Sequence, residues 1–532
     1  MQLTKFVAGA MGAAAIAFAP AAQANEFEHV LLISVDGLHA LDVLNYVEAN
    51  PTSALAGLSH TGFTYTNART PSLSDSFPGL LALLTGGSPI SHGMFYDVSY
   101  DRSLFDASNT NCAGAPGSPV IFDESIDNYD ASGVSLNTIN PAALPRGIRD
   151  GKCVPIYPHD AIKSNTIFEV VKAHGGRTAW ADKHPAYDLV NGPSGKGVDD
   201  LYTPEITNAT DTGPDATASV LCTVANDKLK VDAIVNEIDG KSSLGKQGHG
   251  MPTLLGMNFQ AVSVGQKLAK DKGNSNCLSE VYPAGANLTG LSGGYVNGAG
   301  VPSKVLQYGL DKTDAAIGRI VEELKKKGKY ESTLIVVSAK HGQSPINPAK
   351  VNKAGHFADL VAGLPDASSS SAAGALASAA ACSSGACGFV QDDDVALIWL
   401  QDQSQTAAVA DYLNQNAHAL FIDEVLSGAS LRLRFNDPAG DNKTPDIIVQ
   451  PQYGTVYTAS AKKNAEHGGQ SFEDTNVGLI VSSPRFDKHV IKTPVTSSQV
   501  APTVLRALGI DPDELKGARQ EHTDGLPGMP RH

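Results

Sequence analysis

His29-Val30-Leu31-Leu32-Ile33-Ser34-Val35-Asp36-Gly37 is an apolar run broken by a single serine and closed by an acid and a glycine. A continuous run, rather than an alternating one, is the pattern of a strand covered on both faces, as in a parallel sheet. In such sheets reactive groups collect at the carboxyl ends of the strands, which makes Asp36 the first candidate. The same grammar recurs along the chain. Thr333-Leu334-Ile335-Val336-Val337-Ser338 runs into Ala339-Lys340-His341-Gly342, and Arg177-Thr178-Ala179-Trp180 leads to Asp182-Lys183-His184. Ser74-Asp75-Ser76-Phe77-Pro78-Gly79 opens a helical pattern, and Glu466-His467-Gly468-Gly469 precedes the apolar run Val477 to Val481. Over Val305 to Lys327, Ile317, Ile320, Val321 and Leu324 keep the three-four spacing of a helix, and Gly328 supplies its stop. That helix feeds the Thr333 strand. The expected fold is therefore α/β, a doubly wound and mostly parallel sheet with helices on both faces.

The remaining stretches interrupt this core. Residues 101–163 and 192–300 are read as insertions, the first crowded with Gly, Pro, Asn and Asp. A third insertion is expected at 366–450. Its Ala/Ser-rich start reads as a loosely helical segment, and 391–450 reads as a small α/β lobe with apolar runs at Val395–Leu400 and Leu431–Phe435.

The chain has 532 residues, 42% of them hydrophobic, enough to bury a large core. A net charge of −15 argues against a surface that holds nucleic acid by neutralising phosphates. Residues 1–24 read as a signal peptide: Lys5 gives a positive start, Phe6 to Ala22 is Ala-rich and apolar, and Ala22-Gln23-Ala24 fits a small-residue cleavage site. The mature part, 25–532, is then expected to be secreted or periplasmic, with no transmembrane segment after cleavage. Six cysteines in an oxidising compartment read as up to three disulfides. Cys382 and Cys387, enclosing a Ser-Ser-Gly-Ala loop, form the expected pair. Cys112 with Cys153 and Cys222 with Cys277 is the simplest completion.

Together, Val35-Asp36-Gly37, Ser76-Phe77-Pro78, Ser91-His92-Gly93, Lys340-His341-Gly342, Pro445-Asp446-Ile447-Ile448-Val449, Glu466-His467-Gly468-Gly469 and Ala501-Pro502-Thr503-Val504-Leu505 occur in an order that resembles the alkaline phosphatase superfamily. The closest branch is the type I phosphodiesterase / nucleotide pyrophosphatase family. The resemblance implies a hydrolase of phosphodiester or pyrophosphate-type esters acting on a small-molecule substrate. Ser76 would be the nucleophile, and Asp36, His341 and His467 ligands of a divalent metal, zinc in the family. On its own a serine at a helix start is more often a cap than a nucleophile, and a lone histidine is more often structural; the family pattern reverses both priors.

The departures from the pattern carry as much chemistry as the matches. The stretch corresponding to the family's Asp-x-x-Gly-His places Val262 and Gln266 at the ligand positions, and Lys340 stands where a second aspartate would bind. Valine cannot ligate, and a protonated lysine offers donors only. Asp97 replaces an asparagine that would hold a phosphoryl oxygen, and an ionised carboxylate there repels one. These changes imply fewer than two metal ions per chain, or none. Lys340 then either neutralises Asp36 or Asp97, or, desolvated, serves as base to Ser76. Lys183 and His184, after another strand, are further candidates to face the substrate. Two other readings stand beside the hydrolase: a largely metal-independent Ser-Lys esterase acting on a less charged ester, and a binding protein that kept the pocket without catalysis.

Overall fold

The His29 run is a strand, β1 (His29–Val35), and all seven of its residues are buried. Successive strand side chains point to opposite faces, so burial of all seven means that both faces are covered. The computed structural model describes residues 27–71, 73–128, 138–206, 215–273 and 286–529. The leader read at 1–24 and the Cys277 half of one expected disulfide lie outside them.

β1 sits in the middle of an eight-stranded sheet. The other strands are β2 (Gly62–Tyr65), β3 (Thr178–Ala181), β4 (Asp200–Tyr202), β5 (Leu254–Phe259), β6 (Thr333–Ser338), β7 (Ile480–Ser482) and β8 (His489–Ile491). Their spatial order is β8-β2-β7-β6-β1-β5-β3-β4. The five strands from β6 to β4 run parallel, and β7 is antiparallel to both of its neighbours. The carboxyl ends of β1, β3, β5 and β6 therefore open on one edge.

Two groups of helices pack on this sheet. In one, α1 (Ala40–Ala49) packs on α2 (Ala54–His60), and α2, α5 (Val220–Ile238) and α6 (Ala261–Lys267) meet α7 (Lys304–Lys326); in the other, α3 (Ser76–Thr85), α4 (Ile167–Ala173) and α8 (Val500–Ala507) pack together. The spacing that marks α7 in the sequence is the face it buries, through Val305, Leu306, Leu310, Ile317, Ile320, Val321 and Leu324. The Ser303 side chain accepts from Leu306 N–H at its start, and Gly328, with φ of 65°, follows its last turn.

Three insertions read from the sequence take different forms. Of the stretch read as an insertion at 192–300, β4, α5, β5 and α6 belong to the core, and β5 is hydrogen-bonded directly to β1. Leu254–Phe259 is fully buried, but its flanks are rich in turn residues and hide it in the sequence. Residues 101–163 contain two short antiparallel pairs, Val98–Asp101 with Ser118–Ile121 and Arg146–Arg149 with Lys152–Pro155, and the Cys112–Cys153 disulfide ties this excursion together. In 366–450 the Ala/Ser tract forms a helix, Ser371–Ala380, that buries Ala372, Ala373, Leu376 and Ala379, followed by the Cys382–Cys387 disulfide. Behind it stands a four-stranded antiparallel sheet made by Gly388–Asp392, Ala396–Leu400, Ile422–Ser427 and Ile447–Pro451. Its third strand is Ile422–Ser427; part of the Leu431–Phe435 run instead completes a short helix, Gly428–Arg432.

α3 is pressed against the end of β6, and a glycine makes this possible. A Cβ on Gly79 would come within 1.9 Å of the Lys340 carbonyl oxygen. Gly79→Ala is therefore expected to push α3 away from the strand end and lower stability by about 1–3 kcal/mol. Thermal unfolding with a parallel activity assay checks this; an unchanged midpoint with full activity would show that the approach is not tight.

Candidate active site

Ser76 is the first residue of α3, buried at 4% exposure. Asp75 caps the helix by accepting from Phe77 N–H at 3.0 Å, so the capping role weighed for Ser76 belongs to its neighbour and the hydroxyl is left for other work. Ser76 Oγ lies 3.2 Å from His341 Nε2. His341 Nδ1 is 2.7 Å from the Gly342 carbonyl oxygen, which can only accept. Nδ1 thus carries the ring proton, and Nε2 presents its lone pair to the serine hydroxyl. Burial pushes the His341 imidazolium down to about 3, so the ring is neutral at ordinary pH. The group bonded to Ser76 is His341, not Lys340.

Lys340 lies elsewhere in the site. Its Nζ donates to Asp182 at 3.3 Å, stands 3.8 Å from Asp36 Oδ1, and sits 3.9 Å from the centre of the Tyr187 ring, a cation–π contact. Asp36 Oδ2 in turn accepts from Lys183 Nζ at 3.1 Å and from the Asn258 amide at 3.2 Å. The four groups form an alternating chain, Asp182–Lys340–Asp36–Lys183, two anions and two cations. Burial would push the Asp36 carboxyl up, but Lys340 and Lys183 override it and hold it well below the usual carboxylate range. Burial likewise lowers Lys340 to about 8 against the pull of Asp182 and Asp36.

The chain of charges backs onto a cavity of about 280 Å³. Ser76, Lys183, His184, His467 and Asp97 line it. Lys340, with a fully enclosed side chain, stands behind this wall. The His467 ring lies 3.9 Å, centre to centre, from that of His341, and its Nδ1 has no hydrogen-bond partner among the described residues. Glu466 beside it is held by Lys267 at 2.8 Å and by Lys463. Asp97 N–H donates to Asp75 Oδ1 at 3.1 Å, which ties its backbone to the α3 cap. All eight residues picked from the sequence thus gather at one edge of the sheet, with Asp97 tied to the start of α3 through Asp75.

The neighbours that complete the site were not singled out. Asp182 and Tyr187 anchor Lys340, while Asn258 and Gln260, at the end of β5, reach Asp36 and Lys183. Their signal was position: Asp182 and Gln260 each follow a buried strand run, Asn258 lies at the end of one, and Tyr187 is in the turn after β3. Val262 lies in the apolar core, and the Gln266 amide is taken by the Gly37 carbonyl and the Tyr295 hydroxyl, so neither faces the cavity. Next to Lys183, His184 shares a group with Asp127 and Glu205 whose ligand atoms lie within 4.8 Å of one another, a group able to hold a metal ion.

The family model for type I phosphodiesterase / nucleotide pyrophosphatase matches residues 30–219 and 294–473. No curated protein matches the chain in sequence. Among solved structures, murine ectonucleotide pyrophosphatase / phosphodiesterase 5 is similar with a TM-score of 0.53 at 15% identity, over 91% of this chain and 95% of that one. An inactive variant of the same murine protein, in complex with AMP, gives 0.54 at 14% identity over the same shares. The alkaline phosphatase PafA gives 0.56 at 13% identity, over 91% of this chain and 96% of that one. At these identities the likeness establishes the fold.

Proposed function

The chain belongs to the type I phosphodiesterase / nucleotide pyrophosphatase family of ester-bond hydrolases, within the alkaline phosphatase superfamily, and on that premise we propose that it cleaves a phosphodiester or pyrophosphate through a Ser76-linked intermediate, without the family's metal pair. The observation that carries this reading is the Ser76 Oγ to His341 Nε2 hydrogen bond beside a carboxylate already matched by two ammonium groups. A two-zinc centre does not fit these residues. Lys340 Nζ takes the place of a second carboxylate, Val262 is in the core, and Gln266 is turned to Gly37 and Tyr295. A divalent ion at Asp36 would also stand close to two ammonium charges.

The chain's own groups supply a two-step route. Ser76 Oγ attacks phosphorus as His341 Nε2 takes its proton; the Oγ–P bond forms and the bond to the leaving oxygen breaks. Asp36, 3.9 Å from Nε2, stabilises the imidazolium as it appears. The proton passes to the leaving oxygen. Water then attacks the phosphoserine, with the neutral imidazole again as base, and Ser76 is regenerated. Lys183, at the cavity wall, faces the developing negative charge on the phosphoryl oxygens. A nucleotide-type ester is the substrate class that the AMP complex of the murine relative suggests. The Cys112–Cys153 and Cys382–Cys387 disulfides support secretion of the mature chain.

Single ammonium charges favour singly charged esters. With purified protein, kcat/KM on an aryl phosphodiester is expected to exceed that on the aryl phosphate monoester at least about tenfold, and acid quenching is expected to trap a phosphorylated Ser76 peptide. Cleavage of carboxyl esters alone, with no phosphorylated peptide, would replace this reading with the Ser-Lys esterase.

The pH profile separates the two roles weighed for Lys340. As a cation behind Asp36 it must stay protonated, so kcat/KM is expected to fall as pH rises through about 8, by up to about tenfold per unit. A lysine acting as base would make the rate rise through the same range. His341 adds no acid limb above about 3.

A further inference from the structure

We propose that Asp127, His184 and Glu205 form a binding site for one divalent transition-metal ion in the wall of the cavity, separate from the positions of the family's metal pair. β3 and β4 pair in parallel with Ala181 opposite Tyr202. Continued three residues past each strand end, that register puts His184 beside Glu205. Asp127 reaches the same point from the excursion, directly after the short turn Glu124–Ile126. Three separate segments thus deliver one imidazole and two carboxylates to one place, with ligand atoms within 4.8 Å of one another.

The geometry and the donor chemistry suit such an ion. His184 Nδ1 lies 2.9 Å from each Glu205 carboxylate oxygen. Donors about 2.0–2.2 Å from a common ion stand roughly 3–3.5 Å apart, so this pair is already spaced for ligation. Small side-chain rotations would bring Asp127 to the same distance. Nitrogen with two oxygens is a donor set taken by zinc and manganese, while calcium and magnesium prefer oxygen alone. Glu205 is 4% exposed and His184 8%, so the ion would be shielded from bulk water on the protein side. His184 also lines the cavity, leaving the ion's open positions to face it. An oxygen of an anionic substrate could complete the coordination there, next to Lys183.

The test is metal content of the full chain, independent of turnover. After incubation with zinc or manganese and removal of unbound ion, elemental analysis is expected to find one ion per chain. His184→Gln and Glu205→Gln are each expected to reduce this to none, with far-UV circular dichroism confirming the fold. Asp36→Asn combined with His467→Asn is expected to leave it at one. Cobalt loaded in place of zinc is expected to give a visible absorption band that His184→Gln abolishes. Failure of the unaltered chain to retain any ion, or retention unaffected by both His184→Gln and Glu205→Gln, would show that the three residues form only an ion pair. Loss of the ion in the Asp36/His467 variant instead would assign it to the family's position.

Discussion

Ser76→Ala is expected to abolish hydrolysis, lowering kcat/KM by roughly four to six orders of magnitude, while the protein stays folded. In nucleophilic catalysis all turnover passes through one oxygen, and alanine carries none. The structure separates this loss from a loss of fold. Asp75, not Ser76, caps α3, and Ser76 Oγ is bonded to His341 Nε2 and to the Tyr187 hydroxyl. Removing the serine hydroxyl leaves these two groups beside a cavity that admits water, at a cost of about 1–2 kcal/mol. Steady-state kinetics on an aryl phosphodiester, paired with thermal unfolding, reads both quantities. A variant that keeps activity within about tenfold of the unaltered protein at a normal melting temperature would remove Ser76 from the role of nucleophile.

The strand ends were legible because the sequence marks them twice, once by a mainly apolar run and again by the polar residue that stops it. Asp36, Lys183, His184, Lys340 and His341 were all found in that way, and the structure places each just past a parallel strand. Ser76 was found from the helix start. What each group bonds was not legible, since partnership depends on strand order. Lys340 follows β6 and Asp182 follows β3, and these strands are separated in the sheet by β1 and β5. Nothing in either segment announces that their side chains meet at 3.3 Å. The difference between Lys340, weighed as base to Ser76, and His341, read as a metal ligand but found 3.2 Å from Ser76 Oγ, has the same origin. In sequence they are adjacent, but successive residues leave a strand end in different directions. One enters the Asp36–Asp182 gap and the other turns to α3. Glu205 was missed for a related reason: β4 is only three residues long and half-buried, and so gives no apolar run.

Lys340→Asp is expected to convert this site into one that requires a metal. In the unaltered chain Asp182, Lys340, Asp36 and Lys183 alternate in sign and sum to zero, two negative and two positive. The substitution leaves three carboxylates and one ammonium, a change from zero to −2 among fully or largely buried groups. Removing one partner of a buried ion pair costs about 3–5 kcal/mol, so without metal the variant is expected to unfold at lower temperature and to lose phosphodiesterase activity. The new carboxylate would stand beside Asp36 and His341, which together provide the oxygen and nitrogen donors that zinc takes. Zinc at about a hundred times its dissociation constant would then restore roughly 2.7 kcal/mol. The ion count is expected to rise by one over the unaltered chain, and in a His184→Gln background from none to one, which keeps this site distinct from the one at Glu205. Elemental analysis and thermal unfolding with and without zinc measure both effects. An unaltered protein that already holds two zinc ions through Asp36, His341 and His467, or a Lys340→Asp variant that gains none, would sink the view that the two ammonium groups stand in for the family's metals.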